Sequence, residues 1–279
     1  MVKSYLNGIN ELIGGEFREK EFYSVYGEPS VGKSLYLMGE VVNLINNGVR
    51  VIWIDTEGGF EGLWSEFSPR LFKRFGFDAT KLNDFFTYKR FVTAEEFCSY
   101  MGFKLSVNYE KKVSIDIDGW KEKDSELYSE FGRMRGKIAL IVDSFTAPSK
   151  IQIPTSIQNF SARADLESFM ILSLMKFMER TKAFTIMTSH ESKNPTDIYH
   201  SNPVMRGGNT VKYFSKYILY FEKPKKKLLT DFRKITGART PVGKDWSKMI
   251  WSSVKDDGYY DATEEGVQNV LNGGVVSDE

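Results

Sequence analysis

The sequence predicts an α/β fold: a mostly parallel, twisted sheet flanked by helices, with antiparallel strands added at its C-terminal edge. Three observations carry this expectation. Short runs rich in Val, Ile and aromatic residues (Val49 to Asp55, Lys137 to Asp143, Ala183 to Thr188) alternate with longer segments whose apolar residues recur at helical spacing. Apart from polar residues at their ends and Arg50 and Thr185 within, those runs are continuously apolar rather than apolar on alternate positions, as strands covered on both faces are. From Lys216 the pattern changes, and strand-like runs follow one another with only Gly- and Pro-containing turns between them.

Taken in order, Phe22 to Tyr26 is a short apolar strand stopped by Gly27. A helix follows, with Leu35, Leu37, Met38, Val41, Val42 and Ile45 on its apolar side, and Asn46-Asn47-Gly48 closes it. Val49 to Asp55 is the next strand. Leu63 to Phe75 and Ala94 to Met101 are helical. Residues 102–136 are the least legible stretch, with a small extra strand at Val113 to Ile117 between charged neighbours. Lys137 to Asp143 is a buried strand, Ala164 to Arg180 a long apolar helix, and Ala183 to Thr188 a third core strand. Tyr217 to Phe221, Leu228 to Ile235 and Met249 to Val254 are the antiparallel additions. No repeat or Pro/Ser-rich linker interrupts the chain, so one domain over 1–279 is expected, with a phosphate-binding core at about 20–190 and the antiparallel strands at about 215–260.

Composition excludes several classes. With 41% hydrophobic and 27% charged residues, disorder and coiled coil are disfavoured. No apolar run reaches about 18 residues, so no membrane span is expected, and the N-terminus lacks the apolar core of a signal peptide. A cytoplasmic protein without a membrane partner is the expectation. The single cysteine, Cys98, cannot form an internal disulfide, and two histidines make a histidine-based metal site improbable. Lys and Arg total 38 against 37 Asp and Glu, so any nucleic-acid contact must come from local patches rather than from overall charge.

The sharpest motif is Gly27-Glu28-Pro29-Ser30-Val31-Gly32-Lys33-Ser34, between a strand and a helix. Glycines let the backbone curl so that successive N–H groups face a polyphosphate, and the helix, entered at Leu35, adds its positive end. Lys33 is placed to reach the β- and γ-phosphates of ATP, and the Ser34 hydroxyl to ligate Mg²⁺. Asp143 ends an apolar strand, on the edge of an α/β sheet where ligands bind, and is the candidate to hold Mg²⁺ through water. Glu57 follows another strand and is the candidate base for the attacking water.

With these residues in order, the chain resembles the RecA/RadA recombinase superfamily, and most closely its archaeal RadA and RadB proteins. Asn10-Glu11-Leu12-Ile13-Gly14-Gly15 is similar to the family's lead-in, Asp55-Thr56-Glu57-Gly58-Gly59-Phe60 to its "DTEG-x-F", Ile141-Val142-Asp143-Ser144 to its "IVDS", Gly207-Gly208-Asn209 to its "GGN", and Tyr260 to Val267 to its C-terminal "F-R-I-T-E-E-G-I". The likeness spans about residues 6–270, except 102–136. It implies a RecA-like ATPase core, a DNA-stimulated ATPase activity, ATP at a subunit interface, and single-stranded DNA held by two loops, here Thr146 to Arg163 and Glu191 to Arg206. Lys150, Arg163, Lys193 and Arg206 are the cations of these loops, and Tyr199 is placed to stack on a base.

The sequence also departs from the family. His190 stands where the family's γ-phosphate-sensing glutamine lies, and with Lys193 it matches the H-x-x-K of bacterial RadA and DnaB. Trp64 stands where an arginine packs on adenine. The N-terminal DNA-binding domain and the "F-x-x-A" segment are not found, which favours an accessory, RadB-like paralogue, working with a main recombinase or self-associating through the ATP interface. Lys225-Lys226-Lys227 reads as a solvated turn. The alternative is a KaiC-like signalling ATPase acting on protein partners.

Overall fold

In the computed structural model the parallel core is present and is larger than the apolar runs alone indicate. The residues described are 2–108, 114–119, 121–132, 136–154, 159–192, 203–206, 208–240 and 246–272. The chain opens with α1 (Asn7–Ile13), β1 (Phe22–Gly27), α2 (Lys33–Asn46), β2 (Val49–Asp55) and α3 (Phe60–Phe75). It continues with α4 (Leu82–Phe85), β3 (Phe86–Arg90), α5 (Ala94–Tyr100), β4 (Lys104–Asn108), β5 (Ser114–Asp118) and α6 (Glu126–Phe131). Then come β6 (Lys137–Asp143), α7 (Ala147–Gln152), α8 (Phe160–Thr181), β7 (Phe184–Ser192), β8 (Val204–Met205) and α9 (Gly208–Phe214). The C-terminal part contributes β9 (Tyr217–Glu222), β10 (Phe232–Arg239), β11 (Met249–Lys255), β12 (Gly258–Ala262) and α10 (Glu264–Leu271).

The main sheet runs β12-β11-β10-β9-β1-β7-β6-β2-β3, with β8 paired to β7. From β9 to β3 all neighbours are parallel, whereas β10, β11 and β12 join antiparallel. One expectation is corrected here. Tyr217 to Phe221 is the last parallel strand, not the first antiparallel one: β9 pairs with β1 with Val25 opposite Leu219. It is reached through α9, a helix too short to leave a clear apolar period. The predicted strand at Leu228 also starts late, because Lys227–Leu229 forms a 3-10 turn and pairing begins at Phe232. Strands β3 and β12 are additional. The strand expected at residues 113–117 is β5, over 114–118, paired with β4 in a separate two-stranded sheet.

Both faces of the sheet are covered, which is why its central strands are continuously apolar. In β2, Val51 and Trp53 face one core with Leu37 and Val41 of α2 and Leu71 of α3. Ile52 and Ile54 face the other, with Phe97 of α5 and Leu166 and Leu174 of α8. Burying each such side chain contributes roughly 1.5–3 kcal/mol, so the alternation fixes the register that aligns the strand ends. A third, small cluster of Leu229, Phe232 and Val267 seats α10. Among the described residues no helix is long and apolar enough to cross a membrane.

Candidate active site

Four adjacent parallel strands, β1, β7, β6 and β2, bring the predicted residues to one edge. Register makes this specific: Gly27 pairs with His190, and Asp55 pairs with Asp143. The phosphate loop leaves β1, Glu57 follows β2, Asp143 ends β6, and His190 lies on β7. Carboxyl ends of strands are where open α/β sheets bind ligands.

Each loop is shaped by identifiable contacts. Gly27 passes so close to the carbonyl of Phe221 on β9 that a Cβ there would collide with it. Ser30 and Gly32 both take positive φ, 60° and 100°, curling the chain into α2. Glu28, Pro29 and Ser30 are exposed, Val31 and Lys33 buried, and Ser34 and Leu35 half-buried. The Lys33 ammonium folds back over the loop and donates to the carbonyls of Gly27 (3.1 Å) and Glu28 (2.9 Å). Burial lowers its pKa, against the opposing effect of Asp143, Glu57 and Glu191.

Asp143 is half-buried, and this partial burial raises its pKa above the ordinary carboxylate value. Hydrogen bonds from the hydroxyls of Thr188 and Ser34 act the other way. A half-buried carboxylate beside a hydroxyl, with Glu57 and Asp55 adding negative charge, is a setting that a hard cation would stabilise. Among the described residues no group of three or more His, Cys, Asp or Glu could hold a metal by itself. Ser34 and Asp143 instead fit Mg²⁺, which keeps waters and takes its remaining ligands from phosphates.

Glu57 and His190 meet directly, His190 Nε2 lying 2.9 Å from Glu57 Oε1. That hydrogen bond is the chief reason Glu57 is pulled down to about 2, outweighing partial burial. The loop carrying Glu57 is organised by Asp55, a role the sequence reading missed. Its carboxylate accepts from the backbone N–H groups of Glu57 (3.0 Å), Gly58 (2.7 Å) and Phe60 (3.3 Å), and from the Tyr88 hydroxyl (3.0 Å). An aspartate just ahead of a helix start was the available signal, since such a side chain caps exposed N–H groups.

The other candidates divide. Trp64 is half-buried and packed among aromatic rings, near-parallel to Phe86 (5.5 Å) and Phe60 (5.2 Å) and edge-on to Phe72, so it serves the core. Arg163 donates twice to the carbonyl of Ile153, beyond the end of α7, at 3.0 and 2.6 Å. Arg206 is exposed, its backbone N–H bonded to the His190 carbonyl at 2.9 Å. Lys150 is half-buried on α7, its pKa lowered by burial and then by the like charges of Arg206 and Arg163. Lys150, in one expected DNA loop, thus feels the charges of Arg206, in the other, and of Glu57 in the site. Lys193 and Tyr199 lie outside the described residues, as does Gly207.

No family model matches the chain. It is 24% identical over 269 residues to the DNA repair and recombination protein RadB of Pyrococcus abyssi (strain GE5), covering 95% of this chain and 93% of that one. The RadB protein of Pyrococcus horikoshii is 24% identical over 218 residues, 78% of each chain. That of Methanococcus maripaludis (strain C7) is 40% identical over 50 residues, 18% of this chain and 23% of that protein. Among solved structures, a crystal structure of the RadB recombinase shares the fold with a TM-score of 0.65 at 17% identity, covering 94% of this chain and all of that one. Along most of its length the chain is thus similar to RadB proteins, and it shares the fold of the RadB recombinase, in keeping with the RecA/RadA-like motifs of its sequence.

Proposed function

We propose that this chain binds and hydrolyses Mg²⁺–ATP and acts on single-stranded DNA in recombination or repair, in keeping with its likeness to the DNA repair and recombination proteins RadB. The observation that carries the reading is the convergence of Lys33, Ser34, Asp143, Glu57 and His190 on one sheet edge.

In this reading the N–H groups of residues 30–35 bind the phosphates, and Lys33 exchanges its two carbonyl partners for phosphate oxygens. Ser34 and Asp143 hold Mg²⁺, which when bound neutralises charge on the phosphates. Glu57 orients the attacking water. Held at about 2, it stays ionised but is a weak base. Its task is therefore alignment of the water, which suffices where the transition state is loose. His190 fixes the Glu57 carboxylate, so a change of phosphate state felt by either group reaches the other. Lys150 and Arg206 supply DNA phosphate contacts. Trp64, packed against Phe60, Phe86 and Phe72, is assigned to the core rather than to adenine in this reading. The net charge of +1 gives DNA binding no overall support and leaves it to a local patch, and a main recombinase is the protein partner in this reading.

Two substitutions test the chemistry together. Lys33→Ala should abolish turnover and weaken nucleotide binding. Glu57→Gln keeps shape while removing charge, so binding should persist as turnover falls by roughly 10²–10⁴. Wild-type turnover in Lys33→Ala would refute the phosphate-loop assignment. Comparable loss of binding in Glu57→Gln would make Glu57 a structural or Mg²⁺ group.

A further inference from the structure

The phosphate loop is held from behind by the C-terminal strands. The carbonyl of Val31 accepts two hydrogen bonds, from Arg233 Nε of β10 at 2.8 Å and from the Tyr259 hydroxyl of β12 at 2.8 Å. Both side chains are buried, Arg233 at 7% exposure and Tyr259 at 0%. Arg233 is itself fixed, donating through Nη1 to the carbonyls of Thr230 and Phe232 at 2.7 Å each. Tyr259 is fixed through its backbone carbonyl, which accepts from Arg74 Nη2 of α3 at 2.6 Å. Arg74 also stacks over Tyr260, 3.5 Å from the ring centroid.

The Val31–Gly32 peptide is trans, so its N–H points opposite to its C=O. Two donors that fix the Val31 carbonyl on the buried side therefore aim the Gly32 N–H outward, toward the cradle where a phosphate loop presents its amides. One of the donors carries a full charge, which strengthens the bond and polarises the peptide. The close approach of Tyr259 also gives Gly32 a second reason to be glycine: a Cβ there would strike the Tyr259 hydroxyl.

We propose that Tyr259 and Arg233 are positioning residues of the nucleotide site, holding the 31–32 peptide in its phosphate-binding orientation and tying the loop through Arg74 to the helix that follows Glu57. The inference rests on the nucleotide-binding reading of the loop. Losing one clamp bond should weaken nucleotide binding rather than the chemical step, because both side chains are buried behind the loop and act on it through the Val31 carbonyl.

Tyr259→Phe removes one donor and leaves Arg233 to satisfy the carbonyl, so no buried acceptor is orphaned. Its Kd for ATP should rise about tenfold, the weight of one hydrogen bond, while turnover at saturation changes by less than about twofold. In the nucleotide-free protein, amide hydrogen exchange over residues 28–34 should speed up. Tyr260→Phe, which deletes the neighbouring hydroxyl bonded to Asp257 at 2.6 Å, should change neither quantity. Arg233→Lys keeps the charge and loses the Nε bond, giving a second reading should Tyr259→Phe fold poorly. Unchanged affinity and exchange in both variants would overturn the proposal. Wild-type protein that binds no ATP would instead refute the proposed function, with the exchange measurement still reporting whether the clamp holds the loop.

Discussion

Glu40 shows how a residue unremarkable in sequence becomes a titrating group in the fold. It sits on α2, the helix that starts at the phosphate loop, with no solvent exposure. Ser4 donates to its carboxyl, and Asn43 Nδ2 lies 3.2 Å away. Burial pushes its pKa up to about 7 despite these bonds. Because the folded value lies above the ordinary 4.5, folding takes up a proton. The group costs nothing below pH 4.5, and the native state loses stability as pH rises through 4.5 to about 7, levelling off beyond. The shift corresponds to about 3 kcal/mol. Glu40→Gln should therefore gain stability relative to wild type by about this amount between pH 4 and pH 8, measured by urea unfolding. A difference independent of pH would show that Glu40 is ionised at no cost. Side-chain legibility follows the same line. Lys33, Ser34, Glu57 and Asp143 were readable because their chemistry sits in a fixed local spacing. Thr188, Arg233 and Tyr259 were not, because each acts across strands on a partner far away in sequence.

At the level of elements, the strands carrying the site were legible because burial on both faces makes them long apolar runs. Strand β3 was missed because all its residues but one are half-exposed and none is buried, and β12 because Tyr259 and Tyr260 follow a turn with no apolar run of their own. The parallel pairing of β9 was misread because direction is set by tertiary pairing with β1, which no local pattern encodes. The loop elements yield a sharper expectation for DNA. Arg206 and Lys150 belong to different loops yet are near enough for their like charges to act on one another. Replacing both with alanine should weaken single-stranded DNA binding and flatten its log–log salt dependence by about 1.4, two phosphate contacts' worth. Arg206 lies at the surface, where substitution usually changes stability by no more than about 0.5 kcal/mol. An unchanged salt slope would place the DNA contacts elsewhere.

Across the whole molecule, the sheet joins the two proposed activities. Strand β7 carries His190, which contacts Glu57 on one side and, through its carbonyl, the N–H of Arg206 on the other. DNA held by Arg206 and a nucleotide sensed by Glu57 would thus bear on one residue, so the two ligands should be coupled, and coupling is reciprocal. The C-terminal strands give the phosphate loop its rear support. The direct test is steady-state ATP hydrolysis with and without single-stranded DNA at low salt, with Lys33→Ala as the blank. Lys33-dependent hydrolysis that DNA accelerates is the expected result, with the acceleration fading as salt rises. Hydrolysis indifferent to DNA, from a wild-type protein that binds no DNA at low salt, would contradict the recombination role and favour a signalling ATPase.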